Sequence, residues 1–137
     1  QREVAIYGRE TLGQLEERLR EKALAYDVQL ICFQTNHEGE LLDFLQSWQD
    51  RSHGLLINPA AWSHTSVALR DCIAALAFPA IEVHISQIAA RENFRQHSMV
   101  SAVCRGVIQG FGTYGYDLAL MGMLHILGVQ AREPEIS

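Results

Sequence analysis

The chain has 137 residues, 48% of them hydrophobic and 20% charged, with a formal net charge of −5. That length suits one domain with a single core, and the acidic balance lacks the basic footprint that nucleic acid or an anionic membrane surface selects. No apolar run approaches the roughly 18 residues of a membrane span and no basic-then-apolar leader precedes the first helix, so neither a span nor a signal peptide is expected.

From Thr11, a candidate N-cap, the apolar positions Leu12, Leu15, Leu19 and Ala23 recur at helical spacing among charged residues and predict an amphipathic helix. Val28 to Phe33 reads as a strand. A second helix is expected from about Glu38 to Asp50, with Leu41, Leu42, Leu45 and Trp48 inward. Gly54 opens a short buried strand to Ile57, and a helix follows from Thr65 or Ser66 to Ala77, where Pro79 marks its end. Ile81 to His84 is another apolar strand. Gln87 to Ser101 is polar and reads as part helix, part lid; Val107 to Gly110 is the last strand. Gly112 and Gly115 mark a turn into a final helix from Tyr116 to Leu127, and residues 129–137 read as an exposed polar tail. Near-continuous apolar strands separated by helices imply an α/β fold, a three-layer αβα sandwich on a parallel sheet, with 1–137 as one domain. Cys32, Cys72 and Cys104 are an odd number in apolar surroundings, which predicts buried reduced thiols in a cytoplasmic protein.

In such a sheet ligands bind beyond the carboxyl ends of the strands, and the polar residues gather there. Glu82 and His84 lie two apart on a strand, so they share a face, and a carboxylate there orients an imidazole and favours its protonated form, a general acid. Against this stands a His that is merely hydrogen-bonded or solvated. Asn58 ends the neighbouring strand, and Pro59 to Ser66 leads through small residues to a helix start, where Asn, His64 and helix N–H groups offer donors to hydroxyls or a carboxylate. One of Ser63, Thr65 and Ser66 is expected to be only the N-cap. Arg91 and Arg95 share a helical face if their segment is helical, and spacing does not choose between them. Arg2 lies near the Tyr7 phenol, which titrates near about 10 and serves as a base near neutrality only where a cation stabilises the phenolate. Cys and His are too scattered for a zinc site. The glycine-rich 110–115 stretch suits a turn better than a phosphate cradle.

At these residues the sequence resembles the type II 3-dehydroquinate dehydratases. The blocks FQTNHEGELLDFLQ, INPAAWSHTSVALRD, IEVHISQIAARENFRQHS and GVIQGFGTYGYDLAL are similar to that family's signatures in order and spacing, and REVAIYG is similar to its R-E-P-x-I-Y-G loop, with Val4 in place of Pro. The resemblance runs from Gln1 to about Leu127. It implies a flavodoxin-like fold, trimers assembled into a dodecamer, no metal or organic cofactor, and dehydration of 3-dehydroquinate by anti elimination through an enolate. It implies Tyr7 as base, Arg2 as the group that lowers the phenol's pKa, His84 as general acid and Glu82 as its orienting carboxylate. It further implies Asn58, His64 and Arg95 on substrate oxygens, Ile85 and Ser86 on the carboxylate, and Asp71 at the trimer interface. The family's first strand and its N-G-P-N-L-x-x-L-G motif would precede Gln1, so about a dozen further residues and a central strand are expected there; without that strand the sheet would keep an unfilled slot. The rival expectation is a catalytically inactive flavodoxin-like binding module.

Overall fold

The computed structural model describes residues 11–87 and 98–132. Its first helix, α1 (Leu12–Leu24), starts where the sequence places it, because Thr11 closes a capping box: Gln14 N donates to Thr11 Oγ1 at 3.1 Å and Thr11 N donates back to Gln14 Oε1 at 2.9 Å. Leu15, Leu19 and Ala23 form its buried stripe. The second helix, α2 (Glu38–Ser47), is shorter than expected: Trp48 lies just past it with the Arg51 guanidinium 4.3 Å from its ring centre, so Leu45 is the helix's buried anchor.

Three parallel strands follow, β1 (Leu55–Ile57), β2 (Ala80–His84) and β3 (Gly106–Gln109), in the order β1-β2-β3. Ile57 is level with Glu82, and His84 with Gln109, so all three strands end at one rim. Between β1 and β2 the chain makes two helices where the sequence predicted one. A four-residue turn, α3 (Trp62–Thr65), breaks at Ser66, whose hydroxyl caps α4 (Val67–Ala74) by accepting from Leu69 N at 2.9 Å. Of the three candidate caps it is therefore Ser66 that caps α4. A 3-10 turn (Ser101–Val103) leads into β3, and α5 (Tyr114–Leu127) closes the fold.

The sheet is the middle of a three-layer sandwich. On one face Ile81 and Val83 pack on Ala119 and Met123 of α5, which in turn meets Leu15, Leu19 and Ala23 of α1 through Leu120 and Leu124. On the other face Ala80 and Ile57 meet Leu45 of α2, Leu69 and Ile73 of α4, and Val100. Gly115 was expected in a turn but lies in the first turn of α5, where a Cβ would stand 3.3 Å from Val83 Cγ1; the missing side chain lets the helix sit close on the sheet. The same turn buries Asp117, 1% exposed, which accepts from Arg18 at 2.5 Å and Lys22 at 2.6 Å and so clamps α1 to α5. Beyond the αL residue Gly128, Val129 packs against the α1–α5 cluster and Arg132 bonds Ala25 O and Asp27.

The expected strand over Val28 to Phe33 is not formed among the described residues. A strand is defined by its ladder, and this segment is separated from β1 by a cavity of about 580 Å³ lined by Leu30, Cys32 and Phe33 on one side and Leu55 and Ile57 on the other. β1 is thus an edge of the described sheet, and Phe33 instead stacks on Phe44 of α2 with ring centres 4.0 Å apart.

Candidate active site

Register brings the predicted rim residues to the ends of β1 and β2. Glu82 and His84 alternate with Ile81 and Val83, so the parity of the strand that buries two aliphatic side chains under α5 turns the acid and the imidazole to the opposite face. Both are fully enclosed, 0% and 1% exposed, and His84 Nε2 is hydrogen-bonded to Glu82 Oε2. The Glu82 carboxylate also accepts from Ser98 Oγ at 2.8 Å on Oε2 and from Ser101 Oγ at 2.7 Å on Oε1. Burial pushes this carboxyl up, but the hydrogen bonds from His84, Ser101 and Ser98 and the charge of the imidazole outweigh it and hold Glu82 below the usual carboxylate range.

Asn58 follows β1 directly. Its Oδ1 accepts from Ala60 N at 3.0 Å, an Asx turn that holds Ala60 at φ +51, in the left-handed region an alanine seldom enters. With the oxygen so engaged, the side-chain NH₂ is the group Asn58 can offer a ligand. Ala60 O then accepts from Ser63 N and Ser63 Oγ, starting α3, which carries His64. Ser63 O accepts from Met99 N at 2.6 Å, so α3 is tied to the same segment whose serines bind Glu82. Past β2, Ile85 is half-buried and Ser86 exposed, and the glycine-rich turn is stitched over this end: Gly110 N donates to His84 O and Gly112 N to Ile85 O, with positive φ at both glycines.

The structure therefore gathers Asn58, His64, Glu82, His84, Ile85 and Ser86 at one end of the sheet. Asp71 lies apart, its side chain 64% exposed on α4 and paired with Arg70 at 3.1 Å. Arg2, Tyr7, Arg91 and Arg95 lie outside the described residues. Ser98 and Ser101 were not singled out from the sequence, because serines without helical or strand period carry no signal of what they will face. The cysteines are half-buried rather than buried; burial raises the thiols of Cys32 and Cys72, and burial together with the Glu82 charge pushes Cys104 up to about 12. Among the described residues no three His, Cys, Asp or Glu side chains converge as metal ligands, and no helix is long and apolar enough to cross a membrane.

The model of the dehydroquinase class II family matches residues 1–124. The chain belongs to that family. It is 48% identical over 126 residues, 92% of its length and 86% of the relative's, to the 3-dehydroquinate dehydratase of Bacillus cereus (strain AH820), and equally so to that of Bacillus anthracis. Among solved structures it is similar to type II dehydroquinases from Propionibacterium acnes (TM-score 0.85, 42% identity, 91% of this chain and 86% of that one) and Butyrivibrio crossotus (0.83, 38%, 89% and 86%). The fold is accordingly the flavodoxin-like one that the resemblance implied.

Proposed function

We propose that this class II dehydroquinase family member is a hydro-lyase that converts 3-dehydroquinate to 3-dehydroshikimate, with His84 as the general acid. The observation that carries the assignment is the enclosed His84–Glu82 pair at the carboxyl end of the central described strand. Glu82 engages Nε2, so Nδ1 is the nitrogen that exchanges a proton with the departing hydroxyl. The imidazolium gives that proton to the C–O oxygen as the bond breaks; the electron pair of the enolate forms the new double bond, and water leaves. Tyr7 as phenolate removes the proton beside the ketone, with Arg2 stabilising its charge; these two roles rest on the REVAIYG motif. Asn58, His64 and Arg95 bind substrate oxygens, and Ile85 and Ser86 receive the carboxylate.

The reading includes a homo-oligomer, a dodecamer built from trimers, in the cytoplasm, with no cofactor. Supporting an interface on α4, Val67 and Asp71 are four apart on one helical face, and both are exposed, Val67 by 52%.

Mixing the full chain with 3-dehydroquinate and following the ultraviolet absorbance of the conjugated enone tests the activity; a folded protein giving no rise would sink it. His84→Ala is expected to lose about 10²- to 10⁴-fold in kcat, the usual contribution of a general acid, and a loss below about tenfold would remove His84 from that role.

A further inference from the structure

We propose that Ser98 and Ser101 are positioning residues for the acid: their hydroxyls grip the two oxygens of Glu82 and fix the carboxylate against His84 Nε2. The inference rests on His84 being the general acid. Glu82 comes from the sheet, whereas both serines come from the segment that enters the 3-10 turn, so the orientation of the pair depends on an element outside the strand that carries it. Each hydroxyl is itself aimed. Ser98 Oγ accepts from Val100 N at 3.2 Å, which directs its proton to Glu82 Oε2. Ser101 O accepts from Cys104 N at 3.1 Å in the turn while its Oγ donates to Oε1.

The segment is pinned independently of these bonds, since Val100 is 0% exposed in the core and Met99 N is bonded to Ser63 O. The bonds to Glu82 are therefore not what holds the segment in place, although Ser98 Oγ also caps Val100 N, and what both hydroxyls satisfy is a carboxylate shut off from bulk solvent. A buried carboxylate with one partner is more basic and draws the Nε2 proton of the imidazolium toward itself, which weakens Nδ1 as an acid; three donors leave it an acceptor throughout turnover. Among the described residues the titratable groups that face Glu82 are His84 on its own strand and Cys104 beyond the turn, the latter a neutral thiol at working pH.

The test is kcat and KM against pH for Ser98→Ala, Ser101→Ala and the two threonine replacements, beside Glu82→Gln and His84→Ala. Loss of one hydrogen bond to a charged group predicts a fall in kcat of about tenfold in each alanine variant. KM should stay within about twofold, as expected where the loss is confined to the transition state. The alkaline limb should move upward, because a carboxylate with fewer donors makes the pair hold its proton more tightly. Threonine, which keeps the hydroxyl, should restore both. If an alanine variant fails to fold, the cysteine replacement, similar in size and a weak donor, is read instead and should shift the same way. Unchanged kcat and an unmoved limb, while Glu82→Gln and His84→Ala are inactive, would overturn the proposal alone. If those two variants keep full activity, the acid assignment falls and the serine roles fall with it.

Discussion

Asn58 shows how one side chain can serve structure with one atom and a ligand with another. Its oxygen holds the Asx turn at Ala60, and its NH₂ is the group proposed to meet substrate. Asn58→Asp keeps the acceptor and replaces the donor with charge, so stability should stay within about 0.5 kcal/mol, the range of a replacement that breaks no buried tie. KM, however, should rise about tenfold or more through the lost hydrogen bond. Urea midpoints alongside steady-state kinetics would separate the two; a large stability loss with unchanged KM would reverse the assignment. At this scale the sequence was informative for Asn58, Glu82 and His84, since strand parity and strand ends follow from the backbone alone. It was silent on Ser98 and Ser101, whose role depends on where the turn packs.

The elements were legible where a local device sets them. Thr11 and Gln14 can be recognised three apart, and the capping box they form starts α1 where the sequence places it. The start of α4 at its Ser66 cap was legible, but the helix ends at Ala74 rather than Ala77 and the short α3 before it was not foreseen, because Ser66 both ends α3 and begins α4. That double duty predicts that Ser66→Ala destabilises the fold by about 1–2 kcal/mol, the upper part of the range for a lost cap, because the site is buried. Ser66→Asp should recover part of it in thermal or urea unfolding, whereas an equal loss in both would mean that packing rather than capping is what the serine supplies. The expected strand over Val28 to Phe33 fails for a different reason: its β propensity is real, but a ladder needs a neighbour at about 5 Å, and the cavity beside β1 separates the two.

For the molecule as a whole, the carboxylates that tie elements together set its response to acid. Burial pushes Asp117 up, but the hydrogen bonds and charges of Arg18 and Lys22 prevail and hold it below the ordinary range, as the hydrogen bonds to Glu82 do there. With folded-state pKa values depressed, the unfolded chain binds more protons as pH drops below about 4, so this stability is present above that pH and is lost as pH falls through the folded-state values. Asp117→Asn should therefore cost about 1–3 kcal/mol near neutrality. The lower part of that range is favoured because Arg18 and Lys22 are each about one-third exposed and can be resolvated. It should also flatten the acid limb of the urea midpoint, and an acid limb as steep as the parent's would show that Asp117 does not carry it. None of this clamp was legible beforehand: an aspartate in the first turn of a helix reads as an ordinary charge complement to the helix dipole. Only the packing of α1 on α5 reveals its partners.

Burial, and after it the Glu82 charge, have a last consequence at the Cys104 thiol. A sulfur held to about 12 exposes on the order of 10³-fold less thiolate near pH 8 than an ordinary cysteine, so alkylating reagents should modify Cys104 more slowly than Cys32 and Cys72, whose thiols burial also raises but by less. Neutralising the carboxylate in Glu82→Gln should quicken modification of Cys104 and leave the other two rates alone. Peptide mapping after timed exposure to iodoacetamide would then report whether that buried carboxylate is charged, with no substrate and no turnover.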